Sequence, residues 1–227
     1  MDAACYARNF DAINNAEQLV LADKTVFVAG CGGLGGYVVE YLGRLGVGRL
    51  VVADPDLFEV SNLNRQLLSS HMNLGKPKVL AAKQRVQAIN PLVRVDIHQV
   101  KITNANALSL ISDTDVVVDA LDNIPSRLVL QEACKEAGIP LVHGAIAGWC
   151  GQVCVVMPGQ DLLDKIYPDA QVWQGDEAQS GSLSFSAGLV AALQAAEVVK
   201  LLLGKGAVRP TLVLIDLLRN EIIDIAI

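Results

Sequence analysis

The chain has 227 residues, 52% of them hydrophobic but only 4% aromatic, with a net charge of −6 and a pI near 5.0. That length suits one large core and a single domain over residues 1–227, and the acidic balance argues against a nucleic-acid partner, which a basic footprint would mark. The five cysteines (Cys5, Cys31, Cys134, Cys150 and Cys154) are scattered and odd in number, which speaks against a disulfide framework and for a reducing cytoplasm.

No apolar run follows a basic stretch in Met1 to Arg8, so no signal peptide is expected. Lys24–Ala29 is a short apolar run that stops at glycines and reads as a buried strand. Leu34–Leu45 has helical periodicity and ends at Gly46, a C-cap. Arg49–Asp54 reads as a second buried strand, and Lys76–Ile89 as a helix with Pro77 in its first turn and Asn90-Pro91 as its stop. Val93–Val100 alternates like a strand, and Ala105–Ile111 suits a short helix. Asp115–Ala120 is the clearest buried strand; a helix follows from about Ser126 to Ala137, ending at Gly138.

Pro140–Ala147 and Gln152–Met157 read as further strands. Cys150 and Cys154 lie about 13 Å apart if that segment is extended, too far to bridge or share a metal, and are expected to fill the core. Pro158–Ser182 is polar and rich in Gly, Asp and Gln, and is expected to be a long mobile loop. Leu183–Leu203 approaches membrane-spanning length, but Gln194, Glu197 and Lys200 fall inside it, so it reads as a buried or interface helix and no membrane partner is expected. Thr211–Ile215 and Glu221–Ile225 form a closing hairpin. The alternation predicts an α/β fold, a doubly wound, Rossmann-like and mostly parallel sheet with a C-terminal antiparallel extension.

Gly30-x-Gly32-x-x-Gly35 follows a strand and opens a helix, the context in which such glycines allow a close backbone approach to phosphate. The helix N-terminus offers unpaired N–H groups to an anion, and Asp54, about twenty residues on, suits ribose hydroxyls. This geometry alone leaves NAD, FAD and ATP open. The next cluster narrows the choice: Asp54-Pro55-Asp56, then Asn62, Asn64, Arg65 and Gln66, then Lys76 and Lys78. Hydride transfer has no need for these charges, whereas breaking a triphosphate requires cations against the charge that builds on phosphorus and departing pyrophosphate. Arg65 can fork onto phosphate oxygens and Lys78 can act as a point charge. Two lysines at a helix N-terminus, where the dipole disfavours them, hint at an anionic ligand. Asp122 stands just past a buried strand, where a carboxylate can hold Mg²⁺ bridging phosphates; Asn123 beside it suits a helix cap as well as a cofactor contact.

The segments G-C-G-G-L-G (Gly30–Gly35), D-P-D (Asp54–Asp56), S-N-L-N-R-Q (Ser61–Gln66), G-K-P-K (Gly75–Lys78) and A-L-D-N (Ala120–Asn123) resemble, in order and spacing, the ThiF/HesA/MoeB family, relatives of the ubiquitin-activating enzymes. The resemblance runs from about Tyr6 to the C-terminal hairpin. It implies that Gly33, Asp54, Asn62, Arg65, Lys78 and Asp122 contact ATP and Mg²⁺. It also implies a homodimer in which an N-terminal arginine, here Arg8, reaches the neighbouring subunit's nucleotide. The implied reaction is adenylation of the C-terminal glycine carboxylate of a small ubiquitin-like sulfur-carrier protein ending in Gly-Gly, serving thiamine, molybdopterin or related biosynthesis. Such a carboxyl, with a pKa of about 3.3–3.7, is ionised at neutral pH and needs no general base.

That agrees with the lack of a Ser/His or Cys/His pairing; His71, His98 and His143 are far apart and are expected to be structural or surface groups. The cysteine pairs that bind zinc in many family members are missing, so zinc is not expected. Gly175–Gly181, where relatives carry a reactive cysteine, has none, so the acyl-adenylate itself is the expected product. The competing readings are an NAD-dependent oxidoreductase, a non-catalytic docking platform, and an adenylyltransferase acting on a peptide or tRNA-borne carboxylate.

Overall fold

Thr25–Ala29 and Arg49–Ala53 are the first two strands, β1 and β2, of the computed structural model, which describes residues 3–168, 180–206 and 211–226. In chain order the remaining elements are α1 (Asn15–Ala22, ahead of β1), α2 (Gly35–Leu45), α3 (Lys78–Ile89), β3 (Arg94–His98), α4 (Ala107–Ile111), β4 (Val116–Asp119) and α5 (Ile124–Ala137), then β5 (Leu141–Ala147), β6 (Cys150–Val156), α6 (Leu162–Ile166), α7 (Ser184–Leu203), β7 (Thr211–Asp216) and β8 (Glu221–Ala226). Among the described residues the strands form one eight-stranded sheet in the order β3-β2-β1-β4-β5-β6-β7-β8. The first five are parallel and the last three run antiparallel to their neighbours, as the alternation of elements predicts.

The strand period of two sorts the apolar side chains onto two faces. Val26, Val28, Leu50, Val52, Val116 and Val118 pack beneath α2, α3 and α7. Phe27, Val51, Val117 and Leu141 pack beneath α4 and α5 on the other face. The central strands are therefore covered on both sides, which is why they read as unbroken apolar runs. Helix α7 is long and apolar enough to cross a membrane by length and composition. Its Val190, Ala191, Ala195, Val198 and Leu202 are buried in the core with the sheet, which accounts for that apolarity.

Three expectations change. α1 was not anticipated, although its start carries a capping box: Asn14 accepts from the Glu17 N–H at 3.0 Å, and Glu17 accepts from the Asn14 N–H at 2.9 Å. The stretch expected to be irregular contains α6, fastened to α5 where the Leu163 N–H donates to Gln131 at 2.7 Å and Gln131 donates to Asp164 at 2.6 Å. Most of the remaining expected loop, including residues 175–179, lies outside the described residues. Cys154 fills the core as expected, but Cys150 is exposed at the start of β6. All five cysteines are free; burial pushes the Cys134 and Cys154 thiols up to about 12 and Cys31 well above the ordinary thiol range.

Candidate active site

The strand order reverses between β1 and β4, since the chain winds outward through β2 and β3 and then returns to β4. Open α/β sheets leave a crevice past the carboxyl ends of the strands at such a point. Here it is a cavity of about 360 Å³, within the range of small-molecule sites, opened between the loop after β1 and the loop after β4. Ten of the residues anticipated as site members line it: Gly30, Gly32, Gly33, Asp54, Asp56, Arg65, Gln66, Lys78, Asp122 and Asn123.

The glycines divide into two kinds. Gly30 has φ +95° and a Cβ there would stand 2.6 Å from the Ala120 carbonyl oxygen; a Cβ on Gly35 would stand 1.9 Å from that of Gly30. Both are required by the packing of the loop on its own backbone. At Gly32 and Gly33 an added Cβ would meet only ordinary contacts, at 3.5 Å and 3.8 Å, so nothing internal demands their bareness. The N–H groups of Gly32, Gly33 and Leu34 find no acceptor among the described residues. An open cradle of unpaired N–H groups at the head of α2 suits phosphate.

Asp54, 5% exposed at the end of β2, holds this loop: its carboxylate accepts from the Cys31 N–H at 2.7 Å and the Asp56 N–H at 2.8 Å. Burial raises its pKa, an effect that the Lys78 charge and those two N–H groups offset only in part. Lys78 opens α3, is nearly buried, and pairs with Asp56 at 2.9 Å, so its charge is held on the cavity wall. Lys76, by contrast, is exposed and does not line the cavity, so the hint drawn from two lysines comes down to one.

A 3-10 turn at Val60–Asn62 carries the amide cluster. Arg65 Nη1 donates to the Ser61 carbonyl at 3.0 Å and to Asn64 at 2.9 Å, which leaves Nε and Nη2 without a partner among the described residues. Gln66 is 6% exposed, lines the cavity, and has a buried Oε1 with no partner among the described residues. An orphaned buried amide costs free energy unless a ligand meets it, so Gln66 fits a bound nucleotide.

Four anticipated residues stand outside the lining. Gly35 acts through packing, as above. Asn62 accepts from the Glu59 N–H at 3.0 Å and so shapes the turn. Asn64 donates to the Ser182 carbonyl at 3.1 Å, tying the cavity rim to the entry of α7. Arg8 is exposed on the N-terminal turn, away from the cavity of its own chain.

Asp122 is exposed on the wall formed by the loop after β4; its Oδ1 accepts from Asn123 at 3.1 Å. Asn123 also caps α5, accepting from the Ser126 N–H at 3.0 Å, and lines the cavity beside Asp122. Among the described residues no three His, Cys, Asp or Glu side chains gather as a metal cage. Magnesium needs only one or two carboxylates plus phosphate oxygens and water, so Asp122 beside a phosphate cradle fits it.

Arg127, one turn into α5, is 2% exposed and lines the same cavity, with Asp119, His143, Gln152 and Tyr167 behind it, and no sequence motif marks this group. Their signal is a three-dimensional one, because sheet pairing joins residues far apart in the chain. His143, expected to be structural or surface, is wholly buried; His71 is exposed and His98 half-buried.

The ThiF family profile matches residues 6–227. The SAMP-activating enzyme E1 of Haloferax volcanii is 38% identical over 205 residues, covering 88% of this chain and 76% of the relative. The sulfur carrier protein adenylyltransferase of Thermus thermophilus is 42% identical over 196 residues, covering 82% and 72%. Among solved structures, Escherichia coli MccB crystallised with MccA superposes with a TM-score of 0.82 at 22% identity, over 98% of this chain and 71% of that one, a likeness of fold.

Proposed function

The chain belongs to the ThiF family and is an adenylyltransferase, and we propose that the carboxylate it activates is the C-terminal glycine of a small ubiquitin-like sulfur-carrier protein. What carries this reading is the convergence of Arg65, Lys78 and Asp122, from three separate segments, on the one cavity toward which Gly32 and Gly33 are bare. A relative named as a sulfur carrier protein adenylyltransferase supports the choice of substrate, and the adenylyltransferase relatives decide against the hydride-transfer reading of the same glycine loop.

The carrier's terminal carboxylate attacks the α-phosphorus of ATP. The bond to the bridging oxygen breaks, pyrophosphate leaves with that electron pair, and the product is a mixed anhydride of glycine and AMP. The nucleophile arrives ionised, so the enzyme's work is to hold two anions together and offset their repulsion. Gly32 and Gly33 receive the phosphates, Asp54 the ribose, and Arg65 and Lys78 the developing charge. Asp122 is the carboxylate that would hold a magnesium ion, which supplies charge neutralisation across the phosphates. The proposal extends to a homodimer in which Arg8 reaches the partner's nucleotide, and to sulfur transfer for thiamine, molybdopterin or related biosynthesis. The five free cysteines suit the cytoplasm as the compartment.

Carrier-dependent exchange of labelled pyrophosphate into ATP tests the reading. Wild-type protein is expected to catalyse it with a carrier ending in Gly-Gly, and Asp122→Ala to lose it while keeping its melting temperature. Full exchange in Asp122→Ala would remove Asp122 from the scheme.

A further inference from the structure

Directly behind the cavity wall lies a buried polar cluster that the chemistry above does not use. Asp119, fully buried at the end of β4, divides its carboxylate. Its Oδ1 accepts from the Leu121 backbone N–H at 3.0 Å, and its Oδ2 meets His143 Nδ1 at 2.7 Å. On β5, His143 points Nε2 toward Tyr167 Oη at 3.2 Å and Gln152 Nε2 at 3.1 Å. Because Gln152 Nε2 is a donor, the imidazole proton belongs on Nδ1, facing Asp119. Tyr167 Oη accepts from Gln152 Nε2 at 2.7 Å and from Arg127 Nη1 at 2.8 Å, and its ring centre lies 5.3 Å from the guanidinium carbon. Arg127 closes the circuit, with Nη2 and Nε donating to the Leu121 carbonyl at 2.7 Å and 3.3 Å.

Leu121 is thus held at both of its peptide groups, the N–H by Asp119 and the carbonyl by Arg127, and the next residue is Asp122. Apolar side chains would fill the same space without the cost of burying charge, and with no loss of stability. A satisfied network does what they cannot: it fixes one backbone arrangement. Asp122 is the group that needs this. Its Oδ2 has no partner among the described residues, and a magnesium–phosphate group tolerates little error in carboxylate position.

We propose that Tyr167, His143 and Arg127 are positioning residues for Asp122, holding the turn from Asp119 to Asp122 so that its carboxylate meets the metal–phosphate group of ATP. The inference rests on the assignment of Asp122 above. The mutual contacts of these side chains, which come from β4, β5, β6, α5 and the chain after α6, carry it. Nucleotide binding, rather than turnover, is the quantity it governs.

Calorimetric titration of ATP into the full chain, with and without Mg²⁺, tests it. Wild-type protein is expected to bind ATP more tightly with Mg²⁺. Tyr167→Phe and His143→Asn, at positions outside the cavity lining, are expected to bind ATP alone as wild type does, at similar melting temperatures, and to lose about tenfold of the Mg²⁺-dependent gain. If His143→Asn does not fold, the milder Tyr167→Phe decides. Full retention of the gain overturns the proposal, as does an equal loss with and without Mg²⁺, which marks a general loosening of the pocket. Asp122→Ala is the control: if it keeps the gain, the assignment of Asp122 fails and takes this inference with it.

Discussion

Gly33 and Gly35 stand two positions apart in one loop, yet a methyl group on each is expected to do different things. On Gly35 it would collide with backbone at 1.9 Å, so Gly35→Ala should cost about 3 kcal/mol of stability, read from denaturant unfolding. On Gly33 it meets only van der Waals neighbours at 3.8 Å and 3.9 Å, so Gly33→Ala should fold normally. It should still weaken ATP binding more than tenfold, the effect of losing about 1.5–3 kcal/mol of hydrogen bonding to a charged group. Equal melting temperatures for the two variants would contradict this division. The sequence motif made both glycines candidates but did not separate their roles, because what separates them is the distance to Ala120, Gly30 and Arg65 across the fold. The same limit hid Arg127: its place on the cavity wall depends on Tyr167, forty residues later in the chain. Arg65 and Lys78 were legible because their charges follow the glycine loop within a few dozen residues, and Asp122 because it stands just past a buried strand, at the sheet edge where open α/β folds bind ligands.

At the scale of elements, α2 and α3 are joined by Glu40, 6% exposed, which accepts from Arg85 at 2.7 Å and 2.8 Å and pairs with Arg44 at 2.7 Å. The hydrogen bond from Arg85 is the main reason the Glu40 carboxyl is held below the ordinary range, against the opposing effect of burial. A depressed folded-state pKa gives stability that is complete above the unfolded value of about 4.3 and is lost as pH falls through the folded value. Glu40→Gln is therefore expected to be about 1 kcal/mol less stable than wild type at pH 7, the arginines being partly exposed, with the difference fading at acid pH. A difference that stays constant into acid would contradict the ion-pair account. The central strands β1, β2 and β4 were legible because their apolar runs are nearly unbroken, β3 because it alternates, and α2 and α5 because glycine ends each in a left-handed C-cap. α1 and α6 were not: α1 is short with few buried positions, and α6 is defined by Gln131 reaching it from α5.

At the scale of the molecule, one topological reversal collects the chemistry. Because β4 pairs with β1 rather than following β3 outward, the phosphate loop, the Asp122 turn and the start of α3 face a single crevice. The antiparallel strands β6 to β8 extend the sheet beyond it. The central claim is that this crevice transfers AMP to a carrier's terminal carboxylate. Intact-mass spectrometry of a Gly-Gly-ending carrier, incubated with the protein, ATP and Mg²⁺, tests it most directly. The account predicts one adenylyl group on the carrier, absent when its terminal glycine is deleted. An unmodified carrier alongside protein that binds ATP would contradict it.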